Sequence, residues 1–182
     1  MRSIEVEKRA LLSEVKYQEL MQFLLKNAEN LGEDDKETTY YFIKDKNLQV
    51  VNNISKGTAK VALKFTEVGG KGINEELIAV IDPAQTVVFN KIFAELGFDH
   101  FMQVFQKRHN FVYRNVEIAL KYSDTYKFHT ELEVMAEEDQ GSVAEKMILN
   151  VADELGIRLL SLNEEHELAT RIKAGAKKTE CY

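Results

Sequence analysis

The sequence has a single cysteine, Cys181, next to last of 182 residues. That excludes an internal disulfide and suits a reducing, cytoplasmic setting. It also has a single proline, Pro83. Long hydrophobic runs are missing: Leu11-Leu12 and Leu24-Leu25 lie in short stretches broken by charge, so neither a signal peptide nor a membrane span is expected. Positive charge is in deficit, with 24 Lys and Arg against 30 Asp and Glu for a net −6. Such a balance disfavours non-specific binding of nucleic acid through its phosphates. Low-complexity stretches and convincing repeats are absent. What is present, 45% hydrophobic and 30% charged residues, is the composition of an ordinary globular protein. The length suits one domain, residues 1–174, with residues 175–182 as a flexible Lys-containing tail.

Periodicity places four helices. Tyr17, Leu20, Met21, Leu24, Ala28 and Leu31 share one face of a helix over 14–31 that Gly32 stops. Asp82 and Pro83 open a second, which ends at Gly97 and carries Val87, Val88, Ile92 and Leu96. Ser142-x-x-Glu145 reads as a capping box for a third helix, with Met147, Ile148, Val151 and Leu155 before Gly156. A fourth runs over 163–173. Eight strand-like segments lie between them, near 2–12, 38–44, 46–53, 59–68, 73–81, 100–110, 112–122 and 126–137. Residues 69–72 and 123–124 read as turns. The expected fold is α+β, an eight-stranded antiparallel sheet that closes into a barrel with helices packed outside. Closure of that kind turns the charged strand faces inward and makes a polar tunnel.

Two strands carry the chemistry. Successive side chains point to opposite faces, so Glu5, Glu7 and Arg9 share a face of the first strand, and Glu131 and Glu133 a face of the last. Four carboxylates brought together repel unless a cation lies between them. A hard divalent ion bound through oxygen, Mg²⁺ or Mn²⁺, is the natural occupant. Arg9 offers a guanidinium fork for phosphate oxygens. Lys60 and Lys64 can act as point charges on terminal phosphates. Of Lys107 and Arg108, neighbours on a strand, only one can face inward. His129 and the Tyr40-Tyr41-Phe42 run are weaker candidates, for proton transfer and base stacking respectively, and Cys181 is not expected to be a nucleophile.

These strands resemble those of the CYTH superfamily, the triphosphate tunnel metalloenzymes. Glu5-Val6-Glu7-Lys8-Arg9 is similar to the family's opening Glu-x-Glu-x-Lys strand, Ala62-Leu63-Lys64 to its central lysine strand, Glu75 or Glu76 to its mid-chain acid and Glu131-Leu132-Glu133 to its closing Glu-x-Glu strand. Residues 93–98 with Gln106-Lys107-Arg108, and residues 152–157, resemble the class IV adenylate cyclase branch. The resemblance implies catalytic roles for Glu5, Glu7 and Arg9 and metal ligation by Glu5, Glu7, Glu131 and Glu133. It further implies substrate contacts from Arg9, Lys60, Lys64, Lys107 and Arg108. The implied substrate is a small-molecule triphosphate, ATP or similar, and a homodimer is plausible for the family. Three outcomes follow for such a site: a cyclic nucleotide plus pyrophosphate, orthophosphate from a triphosphatase, or binding without turnover. The sequence departs from the pattern where Asn47-Leu48-Gln49-Val50-Val51 lacks a cation, at Gln106, and at Lys121, which stands where an aspartate is usual.

Overall fold

The computed structural model describes residues 3–43, 46–65 and 76–175. The turn expected at 69–72, the neighbouring Glu75 and Cys181 lie outside the described residues. The chain divides into two compact units, residues 1–33 with 107–163 and residues 34–106 with 164–182. The expected antiparallel α+β architecture is present, with nine strands rather than eight and four α-helices among the described residues. Strand order is β1-β9-β8-β7-β3-β4-β5-β6, with β2 also paired to β7.

The first unit holds β1 (Ser3–Leu11), α1 (Glu14–Asn27), β2 (Glu29–Glu33), the second half of β7 (Phe101–Tyr113), β8 (Val116–Ser123), β9 (Lys127–Glu137) and α3 (Gly141–Glu154). Its core is the apolar face of the sheet. Ala10, Phe111, Val116, Ile118, Leu120 and Leu132 pack against Leu20 and Leu24 of α1 and Ile148, Val151 and Ala152 of α3. The opposite face of the same strands carries the acids.

Two sequence expectations fail here for non-local reasons. Helix α1 stops at Asn27, and residues expected to extend it form β2 instead. Glu29 and Asn30 pair with Val112 and Phe111 of β7, and the Asn30 side chain accepts from the Gly32 amide at a bulge where Gly32 takes φ +85. A glycine supports that conformation at no steric cost. The capping box at Ser142 does not form: α3 begins at Gly141 after Gln140, and Glu145 pairs with Lys8 Nζ at 2.7 Å. The expected stops at Gly97 and Gly156 hold, both at positive φ.

The second unit contains β3 (Lys36–Ile43), β4 (Lys46–Asn53), β5 (Thr58–Lys64), β6 (Glu76–Ile81), α2 (Thr86–Glu95) and the first half of β7. Helix α2 is entered through a 3₁₀ turn over Pro83–Gln85, capped by Asp82. Tyr41, Leu48 and Val50 form a core with Phe89, Phe93, Phe98 and Phe101. Helix α4 (Leu162–Gly175) ends the described chain.

Ahead of β3, Asp34 is buried and anchors a turn: it accepts from Asn53 Nδ2 at 2.6 Å and pairs with Lys36 at 2.7 Å and Lys56 at 3.0 Å. Burial raises its carboxyl pKa, but the bonds from Lys36, Asn53 and Lys56 outweigh that and hold it far below the ordinary carboxylate range. Asp34→Ala removes the acceptor for three donors and is expected to cost about 2–3 kcal/mol of unfolding free energy. Urea denaturation against the parent protein measures it; a loss near zero would show that the cluster is incidental.

Candidate functional site

Turn chemistry sets the register of the acidic face. The β7–β8 hairpin turns at Arg114 and Asn115, both at positive φ, as a two-residue connection of the primed type requires. The β8–β9 hairpin closes on the Ser123–Lys127 pair, with Lys127 at φ 55 and Ser123 Oγ accepting from the Tyr126 amide. Counting back from that pair sets Glu117 opposite Glu133, Ala119 opposite Glu131 and Lys121 opposite His129. On the far side of β9, Glu133 lies opposite Glu7, and Glu131 opposite Arg9.

Three glutamates therefore stand in one row across three strands: Glu7, Glu133 and Glu117. Neighbours directly opposite have Cβ atoms about 4.5–5.5 Å apart, well within mutual repulsion. Glu5 shares the face, two residues before Glu7. The next row inverts the charge pattern. Arg9 Nε donates to Glu131 Oε1 at 3.0 Å, and its Nη2 reaches Glu7 Oε1 at 2.8 Å. Buried Lys121 donates to Glu131 Oε2. Arg108 Nε donates to Asn110 Oδ1 at 2.7 Å, and Nη2 lies 3.6 Å from Glu117. Glu131 is thus gripped by two cations, whereas the row at Glu133 is acid beside acid.

Protonation follows from this division. Burial raises the Glu133 carboxyl, and Glu5, Glu117 and Glu7 push it further against the pull of Arg108, up to about 7. His129, its Nδ1 donating to the Lys127 carbonyl at 2.9 Å, goes the other way. Burial lowers it to about 4, helped by Lys121, Arg9 and Arg108. Burial also raises the Tyr126 hydroxyl, against the nearby Arg9.

The two shifts act on stability with opposite signs. Glu133 is raised on folding from an ordinary 4.5, so its contribution is complete below that value and is lost as pH rises through about 7. His129 is depressed from 6.5, so its contribution is present above 6.5 and is lost as pH falls through about 4. They oppose each other between 4.5 and 6.5, and above 6.5 only the Glu133 loss remains. Metal-free protein is expected to lose thermal stability between pH 6.5 and about pH 8, and saturating Mg²⁺ should remove that decline. A midpoint that is flat across the interval with EDTA present would contradict the assignment.

The other expected contacts are distributed as follows. Lys107 is exposed, and strand alternation turns it away from the face of Arg108. Lys60 and Lys64 share a face of β5 in the second unit, opposite Val51 and Asn47 of β4, with Gln49 opposite Ala62 between them. Asn47 is buried there, and its Oδ1 has no hydrogen-bond partner among the described residues. Glu76 begins β6 opposite Lys64. Gln106 is opposite Lys36. Tyr41 does not offer a stacking face: its ring packs on Phe93, Phe98 and Phe101, and its hydroxyl donates to Asn90 Oδ1 at 2.9 Å.

Glu117, Lys121 and Tyr126 join the site without having been singled out for it. Their signal was the β8–β9 turn, since fixing the Ser123–Lys127 pair fixes every neighbour of Glu131 and Glu133. Among the described residues, no three acidic, histidine or cysteine side chains converge on a point that could hold a metal ion. Glu7, Glu117 and Glu131 are instead drawn toward Arg9, Arg108 and Lys121. The donor set still suits a hard cation: all oxygen, all carboxylate, in one row, with one member forced toward its neutral form by burial and by its acidic neighbours.

No protein-family model and no curated protein sequence matches the chain. Solved structures do. A protein from Pyrococcus horikoshii superposes with a TM-score of 0.68 at 18% identity, over 92% of this chain and 98% of that one. A candidate adenylate cyclase from Vibrio parahaemolyticus gives 0.63 at 14% identity, over 90% and 98%. A candidate adenylyl cyclase from Hippeastrum, described as having a dominant triphosphatase activity, gives 0.60 at 16% identity, over 87% and 90%. The fold of this chain is the fold of those proteins. Likeness at such identities leaves chemistry to be argued from the site.

Proposed function

We propose that the protein is a CYTH-type, divalent-metal-dependent triphosphatase acting on a small-molecule triphosphate, ATP or similar, and releasing orthophosphate. One observation carries this reading: the row Glu7–Glu133–Glu117 lies directly beside the cations Arg9, Lys121 and Arg108 on one sheet face. A metal triphosphate presents the complementary pattern, a divalent cation with anionic oxygens around it. Fold similarity to proteins described as adenylate cyclases, one of them with a dominant triphosphatase activity, supports triphosphate chemistry without choosing the product.

Glu5, Glu7, Glu117 and Glu133 are the carboxylates that would hold Mg²⁺ or Mn²⁺, which would neutralise phosphate charge and lower the pKa of a bound water. Glu131 has a different task. Held between Arg9 and Lys121, it orients the Arg9 guanidinium, leaving that group to grip phosphate oxygens. Arg108 supplies a second guanidinium and Lys121 a fixed charge with little solvent exposure. A phosphoryl group in transfer gains most from such positioned charge, which needs no reorganisation as the reaction proceeds. Lys60 and Lys64, on one face of β5 in the second unit, are phosphate-contact candidates within that unit, where the orphaned acceptor of Asn47 lies on the same face. The segments that resemble the cyclase branch have structural uses here: Phe93 and Phe98 fill the second core, and residues 152–157 end α3. Tyr41 is packed on Phe93, Phe98 and Phe101 and offers no face to a base, and the attacking group is taken to be water. A cytoplasmic location completes the proposal; among the described residues no helix is long and apolar enough to cross a membrane.

The test is a product assay. Purified protein with Mg²⁺ or Mn²⁺ is given tripolyphosphate, ATP and other triphosphates. Orthophosphate release is expected. Cyclic nucleotide with pyrophosphate would make the chain a cyclase, and tight binding without products would make it a binder; either outcome contradicts hydrolysis.

A further inference from the structure

The second unit has a polar sheet face of its own. Tyr41, Leu48, Val50, Val61 and Leu63 pack with the phenylalanines of α2. Alternation therefore turns Tyr40 and Phe42 of β3, Asn47 and Gln49 of β4, and Lys60, Ala62 and Lys64 of β5 to the opposite face. Register sorts these residues into rows. Phe42, Asn47 and Lys64 stand opposite one another across the three strands, and Tyr40, Gln49 and Ala62 form the row beside them. Each row sets an aromatic ring against a carboxamide, with Cβ atoms about 4.5–5.5 Å apart.

Asn47 is the informative member. It is 3% exposed, and its Oδ1 is a buried acceptor with no donor among the described residues. An acceptor in that state has given up water for nothing, a penalty that folded proteins avoid unless something else supplies the donor. Its cross-strand neighbours Phe42 and Lys64 are themselves only half-buried, and a lysine stem is flexible enough to swing aside. The Phe42 ring meets His100 with 5.0 Å between centroids. Ala62, between Lys60 and Lys64 along β5, presents only a methyl group beside Gln49. A phosphate oxygen cannot answer Asn47 Oδ1, because it is an acceptor too. The partner that fits is an N–H group, and the adjoining ring favours one carried by a flat heterocycle.

We infer that this face is a nucleobase site selective for adenine, in which the base stacks on Phe42 and its 6-amino group donates to Asn47 Oδ1. Adenine carries a donor, the 6-amino group, beside an acceptor, N7, which is the complement of a carboxamide; a 6-oxopurine has acceptors at both places. Stacking on an aromatic side chain holds the plane of the base, and the amide reads its edge. The lack of a cation in residues 47–51 then has a use, since a guanidinium there could not accept from an amine. Such a site rests on the triphosphate reading proposed above and names the base that the substrate carries.

Calorimetric titration with nucleoside monophosphates in EDTA tests it, because AMP has no triphosphate to hydrolyse and needs no metal. AMP is expected to bind the parent saturably. Inosine 5′-monophosphate, with oxygen in place of the 6-amino group, should bind about 10–100-fold more weakly. Asn47→Leu, close in volume, should abolish that difference while its thermal midpoint stays level or rises, since an orphaned polar group gives way to an apolar one. Phe42→Leu should weaken both ligands by about 10-fold and keep their ratio. Equal binding of the two ligands by the parent, binding of neither, or a preference that survives Asn47→Leu would overturn the inference. A marked fall in the Asn47→Leu midpoint would do the same, by showing that Oδ1 has a partner within the fold. Orthophosphate release from tripolyphosphate is a separate measurement: its absence would remove the triphosphatase, and its presence would not rescue the base site.

Discussion

Glu133→Ala is expected to lower metal-stimulated phosphate release from tripolyphosphate by at least about 100-fold, because even outer-shell partners of a metal are worth about 10–100-fold and this residue sits in the centre of the row. It has an acid opposite on each side, Glu7 on β1 and Glu117 on β8. Its removal also relieves repulsion, so the apo protein should become no less stable, and the loss of turnover should come with a gain in metal-free thermal midpoint above pH 7. That pairing of effects separates the account from simple misfolding. Glu131→Ala should behave differently. It strands Arg9 and Lys121 without their shared acceptor, so stability should fall along with activity. Equal behaviour of the two variants would mean that the division between an acid row and a cation row has no chemical consequence.

Phe111→Ala is expected to cost about 3–5 kcal/mol, the usual toll for emptying a buried aromatic site. The ring is fully buried, lies flat on His109 with 4.6 Å between centroids and joins β7 to the core under α1 and α3. Chains of this size shift their midpoint by roughly 2–4 °C per kcal/mol, so a drop of about 10 °C should be visible by calorimetry. A loss below about 1 kcal/mol would show that the site collapses around the smaller residue, contrary to the packing described.

The acidic strands were legible because strand alternation is a local property: Glu5 and Glu7, or Glu131 and Glu133, share a face whatever surrounds them. The strong helix signals, Asp82 with Pro83 and the glycines at 97 and 156, were equally local. Losses came where a distant strand competes with local pattern. Ala28 and Leu31 continue the apolar spacing of α1, yet the Asn30–Gly32 bulge and pairing with β7 pull them into β2. Glu145 has the spacing of a capping residue but finds Lys8 across the chain. Glu117 and Lys121 follow the same alternation, opposite the apolar Val116, Ile118 and Leu120 of their strand. Their partners became readable only through the β8–β9 turn, which sets Glu117 beside Glu133 and Lys121 within reach of Glu131. Lys121 then accounts for a departure that looked like a defect: a cation where an acid is usual converts Glu131 from a free carboxylate into the anchor of a basic cluster.

Calorimetric titration of Mn²⁺ into the apo protein, with and without a non-hydrolysable triphosphate, tests the central claim most directly. The account predicts saturable binding that tightens with triphosphate and is lost in a Glu7→Gln, Glu133→Gln double variant that keeps its fold by circular dichroism. Undiminished Mn²⁺ binding by that variant would place the cation elsewhere and contradict it.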